Sequence, residues 1–176
     1  MSTPSPYHHG DLRSAVLHQA GEILEKEGID ALSLREVARR AGVSHNAPYR
    51  HFPDRDRLLV ALAEEGFQML LGALERRPRR EMGEAYVDFA LTHPQRFRLM
   101  FGGRVKLAKP DQYIYERLKQ SFADLGENAE YAAAAAWGLV HGLSQLLLND
   151  YFALEDRKSF VRSAISAVRF SAPRRS

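Results

Sequence analysis

SLREVARRAGVSHNAPYRHF, residues 33–52, decides how this chain is read. Ser33 followed by Glu36 forms a capping box, so a helix is expected to start there. Leu34, Val37, Ala38 and Ala41 recur at helical spacing and make one apolar stripe. Gly42 ends that helix, because only glycine enters a left-handed turn without steric cost. Ser44 is placed to cap a second helix by accepting from its open N–H groups. Ala38 is small where two helices must touch, and Gly42 follows four residues later. The pattern is that of a helix-turn-helix.

Outward from this unit the periodicity stays helical. Upstream, residues 11–27 make a first helix with Leu12, Ala15, Val16, Ile23 and Leu24 inward, stopped by Gly28. Downstream, Pro53 and Asp54 open a long helix through Leu58, Leu59, Leu62, Leu70 and Leu74. The basic run ERRPRREMG, residues 75–83, interrupts it, and Pro78 marks a passage between domains. Further helices are predicted over 81–92, 95–101, 111–125, 130–149 and 157–170. No segment sustains the period-2 alternation of a strand, so the expected fold class is all-α: an N-terminal three-helix unit followed by a larger helical domain. Counting the long linking helix with the second domain, the expected division is a flexible arm over 1–9, a helix-turn-helix domain over 10–57 and a helical domain over 58–176.

The formal net charge of +3 is too small to identify a partner, but its distribution is informative. Residues 11–30 carry two basic groups (Arg13, Lys26) against five acidic ones (Asp11, Glu22, Glu25, Glu27, Asp30). Residues 34–57 carry six basic groups (Arg35, Arg39, Arg40, Arg50, Arg55, Arg57) against three acidic ones (Glu36, Asp54, Asp56). Positive charge gathers on the two-helix unit, as nucleic-acid binding requires.

The segment LREVARRAGVS, the ending YRHF and the run FPDRDRLL resemble, in order, the DNA-binding motif of the tetracycline-repressor (TetR) family of bacterial regulators. Upstream, YHHGDLRSAVLHQAGEILEKEG is similar to that family's first helix. Downstream, HPQRFRLMF and AWGLVHGL resemble the ligand domain of a subgroup in which Trp, His and Gly fall within one helical stretch. The resemblance implies a ligand-responsive regulator, most simply a repressor, binding double-stranded DNA as a homodimer on a palindromic site. Its recognition helix would begin at Ser44, with His45, Asn46 and Ala47 facing the major groove. There Asn46 can pair with an adenine edge and Ala47 can touch a thymine methyl. Tyr49, His51 and Arg55 match positions that touch phosphate, Ser33 and Arg35 would meet backbone from the other side, and Arg50 is a further candidate. Residues 131–149 and 157–170 would form the dimer interface. Pro48 departs from the pattern. It falls four residues after Ser44, where it has no N–H for the Ser44 carbonyl, so a distorted or late-starting recognition helix is predicted.

The second domain concentrates aromatic and soft side chains. Tyr86, Phe89, Phe97, Met100, Phe101, Tyr113, Trp137 and His141 are the candidates for a pocket taking a small apolar or aromatic effector; Tyr115, Phe122 and Phe152 belong to the same aromatic set. His141, one turn after Trp137, would supply the polar contact. Any one of these reads more simply as ordinary core, while a pocket built from some of them is expected of the domain as a whole.

Other function classes find little support. With no cysteine, thiolate metal sites and cysteine nucleophiles are excluded. The seven histidines show no metal-binding spacing, and neither a GxSxG elbow nor a P-loop occurs, so no enzyme and no cofactor is expected. Residues 131–149 carry no formal charge, but His141, Ser144, Gln145 and acidic flanks oppose a membrane span. MSTPSPYHHG has no apolar stretch and does not read as a secretory signal, leaving the cytoplasm as the expected compartment. The remaining alternative is a helical dimerisation or adaptor module that has lost DNA binding, which Pro48 alone favours.

Overall fold

A computed structural model describes residues 9–107 and 111–170, and among them every regular element is helical. The expected arm over 1–9 lies, but for its last residue, outside the described residues. In order the α-helices are α1 (His9–Glu27), α2 (Leu34–Arg40), α3 (Arg55–Leu74), α4 (Arg79–Thr92), α5 (Pro94–Phe101), α6 (Asp111–Ser121), α7 (Ala129–Leu148) and α8 (Arg157–Ser166). The described residues form two compact units, one of those within 1–66 and 95–107, the other of those within 67–94 and 108–176. The division falls inside α3 rather than at residue 58, and α5 returns to the first unit.

The first unit is built on apolar stripes. Leu12, Val16, Ala20, Ile23 and Leu24 of α1 are buried, as are Leu34, Val37 and Ala38 of α2 and Leu58, Leu59 and Leu62 of α3. Ala15, expected inward, is half-buried. The return of α5 has an identifiable cause. Glu25 on α1 accepts from the N–H groups of Gln95 and Arg96 at 3.1 and 3.0 Å, satisfying the open end of α5. The Arg96 guanidinium donates to the Leu62 carbonyl at 3.1 Å and to Glu65 at 2.6 Å on α3.

In the second unit α7 packs on α4, α6 and α8. Met82, Tyr86, Val87 and Phe89 of α4, Ile114 and Leu118 of α6 and Val140, Leu143 and Leu147 of α7 fill its core. Among the described residues Ala123–Leu148 is one stretch long and apolar enough to cross a membrane by length and composition. Its α7 part buries one side in this unit and leaves Tyr131, Ala134, Ala135, Gly138 and Leu146 exposed. α7 closes with Asp150 at φ 52, where the N–H of Tyr151 donates to the Leu146 carbonyl at 3.1 Å and that of Asp150 to Leu147 at 3.3 Å.

Two ends differ from expectation. α6 stops at Ser121, whose hydroxyl donates back to the Leu118 carbonyl at 2.6 Å, and a 3-10 stretch with Gly126 at φ 57 follows. α8 stops at Ser166 rather than 170, and Phe170 meets Phe122 edge-on at 5.3 Å.

Candidate functional site

Ser33 begins α2 with extended backbone, and its hydroxyl accepts from the Glu36 N–H at 3.2 Å. This is half of the expected capping box. The Glu36 carboxylate turns to the arginines instead, accepting from Arg39 at 2.6 and 2.9 Å and from Arg40 at 2.6 Å. Arg40 continues to Glu27 at 2.5 and 2.9 Å. Hydrogen bonds from Arg39 and then Arg40 pull the Glu36 carboxyl from its ordinary 4.5 down to about 2. Two cations and two anions here cancel, so the excess positive charge read from the sequence does not reside on Arg39 and Arg40. Arg35 and Arg50 are exposed and outside any ion pair among the described residues.

The turn after α2 follows from Gly42, at φ 66. The Val43 N–H donates to the Ala38 carbonyl at 3.1 Å and the Gly42 N–H to Arg39 at 3.3 Å, a glycine-closed helix end. The next segment is not an α-helix. The Ser44 carbonyl accepts from Ala47 at 2.9 Å, the Ala47 carbonyl from Arg50 at 3.3 Å and the Pro48 carbonyl from His51 at 3.0 Å. Residues three apart are bonded, and Pro48–Arg50 is a 3-10 turn. The cause is the missing N–H of Pro48, which leaves the Ser44 carbonyl to the residue before it. Ser44 therefore contributes its carbonyl, and no side-chain cap forms.

A three-residue repeat eclipses side chains at i and i+3, and this sorts the candidates. Pro48 is buried and His51 follows it inward. His51 Nε2 is buried without a partner, its ring 6.5 Å from that of Phe52, so the expected phosphate contact through this nitrogen is withdrawn. Asn46 and Tyr49 share the outward edge, with Tyr49 44 % exposed, and Arg50 is exposed beside a half-buried Ala47. His45 Nδ1 lies 3.2 Å from the Asn46 amide oxygen, and the His45 ring is 5.9 Å from that of Tyr49. With its proton on Nδ1, His45 donates to that oxygen and leaves the Asn46 amide nitrogen outward. Ser33, Arg35 and His45 line one surface cleft with Arg39 and Val43.

Arg55 also needs correcting. Its guanidinium donates to the carbonyls of Leu32 and Ile29 at 2.8 and 2.5 Å, holding the loop before α2 rather than facing outward. The Ile29 carbonyl also accepts from the Leu32 N–H at 3.3 Å, closing the 3-10 turn Ile29–Ala31, and Arg55 adds a second donor there and one to Leu32.

In the second unit a cavity of about 260 Å³ lies between α4, α6, α7 and the end of α8. Of the eight effector candidates only Tyr86 lines it. Tyr86 is joined to two more: Trp137 Nε1 donates to the Tyr86 hydroxyl at 3.1 Å, and that hydroxyl is 3.0 Å from His141 Nδ1. Burial pushes the Tyr86 phenol up and the His141 imidazole down, so both are neutral near pH 7.

The other candidates are placed elsewhere. Phe97 and Met100 are buried in the first unit, where Phe97 meets Phe101 at 4.8 Å, so these three are withdrawn as effector contacts; they were drawn away when α5 docked on α1 and α3. Phe89 is buried beside His93 at 5.1 Å, and Tyr113 is 67 % exposed. The residues that do line the cavity include Met82, Leu118, Val140 and Ile165, aliphatic side chains that no sequence pattern separates from core. Among the described residues no three His, Asp or Glu gather as metal ligands.

Residues 16–62 match the family described as bacterial regulatory proteins, tetR family, and residues 79–168 match the tetracyclin repressor-like C-terminal domain. A protein of unknown function from Rhodococcus sp. RHA1 is 34 % identical, with 93 % of this chain and 96 % of that one covered at a TM-score of 0.81. NalD, the secondary repressor of the MexAB-OprM multidrug efflux pump in Pseudomonas aeruginosa, is 22 % identical over 91 % of this chain and 95 % of its own, with a TM-score of 0.62. TetR from Acinetobacter baumannii AYE, solved with minocycline, is 22 % identical over 88 % and 94 %, with a TM-score of 0.60. The last two likenesses concern the fold alone.

Proposed function

The chain belongs to the TetR family of bacterial transcriptional regulators, and on that premise we propose that it is a ligand-responsive homodimeric repressor of a palindromic operator. The observation that carries the DNA contact is the outward edge of Asn46 and Tyr49, with exposed Arg35 and Arg50 on either side. Arginine and the Tyr49 hydroxyl meet phosphate and set register, while the Asn46 amide, braced by His45, reads an adenine edge. A single unit of this size contacts few bases, so useful affinity needs two copies about 34 Å apart on the duplex. The exposed side of α7 together with α8 supplies the pairing surface. The Tyr86, Trp137 and His141 group beside the cavity supports the reading as a member of the Trp-His-Gly subgroup with a small-molecule effector site. The proposed setting is the cytoplasm, with no catalytic step.

Band-shift titration of duplex fragments at several salt concentrations tests this reading, because phosphate neutralisation makes affinity fall as salt rises. Asn46→Ala is expected to change preference at one base pair by about 1–3 kcal/mol, and Tyr49→Phe to weaken all sequences alike. No band shift, or a weak one that neither salt nor either substitution alters, favours a second reading, a helical dimerisation module with weak or lost DNA binding. The non-α recognition segment is the observation in favour of that alternative.

A further inference from the structure

Resting on the reading of the cavity as an effector site, we infer that its occupant is an amphipathic carboxylate, an acid with an apolar tail, rather than a neutral hydrophobe. The slot follows α4 from Arg79 and Arg80 at its first turn, past Met82 and Gly83, to Tyr86. The seven rises of 1.5 Å from Arg79 to Tyr86 give it a run of about 10 Å. Its walls are apolar, with Leu118, Phe122, Val140 and Ile165 among them, and among the described residues its lining holds two arginines and no acidic residue.

The two arginines stand at one end in different states. Arg79 is fixed: its guanidinium lies over the Phe122 ring at 4.8 Å, donates to both Asp124 oxygens at 2.5 and 3.2 Å and reaches the Ser121 carbonyl at 3.1 Å. Asp124 balances that charge. Arg80 pairs, among the described residues, with the adjacent Glu81 at 3.3 Å, and its side chain is 84 % exposed. It can swing to a carboxylate head without giving up a buried contact, forming a charge-assisted hydrogen bond that an uncharged ligand cannot use. At the other end the Tyr86 hydroxyl is engaged by Trp137 and His141, so the deep wall asks no polar group of the tail. Gly83 keeps the middle narrow, since a Cβ there would stand 3.1 Å from Ile165 and 3.3 Å from Val140.

Trp137 is the one tryptophan of the chain and bonds to the cavity residue Tyr86, so its emission reports occupancy. Octanoate and octan-1-ol are titrated against the full chain, the Arg80→Gln variant and the Ala136→Leu variant, in which the added bulk fills the slot. Octanoate is expected to bind about tenfold more tightly than octan-1-ol in low salt. That preference should shrink to about twofold in Arg80→Gln or at about 0.5 M salt, where exposed charges are screened. Ala136→Leu should weaken both ligands together. Equal or tighter binding of the alcohol, or a preference that survives Arg80→Gln, overturns the carboxylate while leaving the cavity as an effector site. Octanoate binding that Ala136→Leu does not weaken places the acid elsewhere and overturns it too. If neither ligand moves the emission, the effector-site reading falls with it.

Discussion

At the scale of the residue, Arg96 accounts for Gly21 and, together with Met100, for Gly66, two glycines that would otherwise weaken their helices. Its side chain is 7 % exposed, and a Cβ on Gly21 would lie 2.5 Å from its guanidinium nitrogen, while one on Gly66 would lie 2.6 Å from Met100 Sδ and 3.0 Å from the Arg96 Cγ. An alanine in a helix normally gains about 0.5–1 kcal/mol over glycine. Here Gly21→Ala is expected to lower stability by about 1–2 kcal/mol, the range for overpacking a tight site. In an Arg96→Ala background the same change should become stabilising, and urea melts of the two pairs measure this reversal of sign. Glu36 makes a second residue-scale case. Its folded carboxyl titrates near 2 instead of 4.5, so the native state binds fewer protons than the unfolded chain in that interval. The stabilisation is complete above about 4.5 and is lost as pH falls towards 2. Thermal melts of Glu36→Gln should therefore show a flatter acid limb than the parent, and an unchanged limb would remove Glu36 from the acid response.

At the scale of the element, Pro48 is the residue that keeps the recognition segment out of the α form. Pro48→Leu restores an N–H for the Ser44 carbonyl and should convert 44–50 into a continuous helix, seen as increased ellipticity at about 222 nm, since the proline penalty of about 3 kcal/mol is lifted. Asn46 and Tyr49 would then sit at helical rather than eclipsed spacing, and the base preference should shift with the helicity. A variant with parental ellipticity and parental preference would show that something other than proline holds the turn. This much was legible in the sequence because caps, glycine turns and proline act over three or four residues. Ser33, Gly42 and Pro48 behave as local chemistry requires. The Glu36 carboxylate was less legible, because an N3 acid can return to its own cap or pair with Arg39 and Arg40 three and four residues on, and the arginines win. Arg55 was misread for a related reason: an exposed helix start and a loop with open carbonyls compete for the same guanidinium, and only the fold shows how near Ile29 and Leu32 come. The placement of Phe97 and Met100 and the cavity lining beyond Tyr86 and Phe122 were not legible, because which helix an apolar stripe meets depends on contacts far apart in sequence, such as Glu25 with the start of α5.

At the scale of the whole molecule, the exposed side of α7 sets the strongest constraint on assembly. A helix apolar on nearly all sides belongs inside a core, yet Tyr131 is 75 % exposed and Leu146 40 %, with Ala134, Ala135 and Gly138 between them. Small residues permit close helix approach, and a two-fold partner would place the same surface against itself. Gly138→Glu adds a carboxylate to each copy of that surface, where two like charges meet with little room for water. Because Gly138 is exposed and a Cβ there meets nothing within 4 Å, the single chain should keep its helical content. Sedimentation should show a monomer under conditions where the parent forms the proposed dimer. Affinity for a palindromic operator should fall by at least about 10²-fold, since the second half-site no longer binds at the high effective concentration that linkage provides. Affinity for an isolated half-site should stay close to that of the parent, because the Asn46 edge is untouched. A Gly138→Glu chain that still sediments as a dimer would move the interface off α7, and a monomer that still grips the full operator tightly would break the link between pairing and recognition.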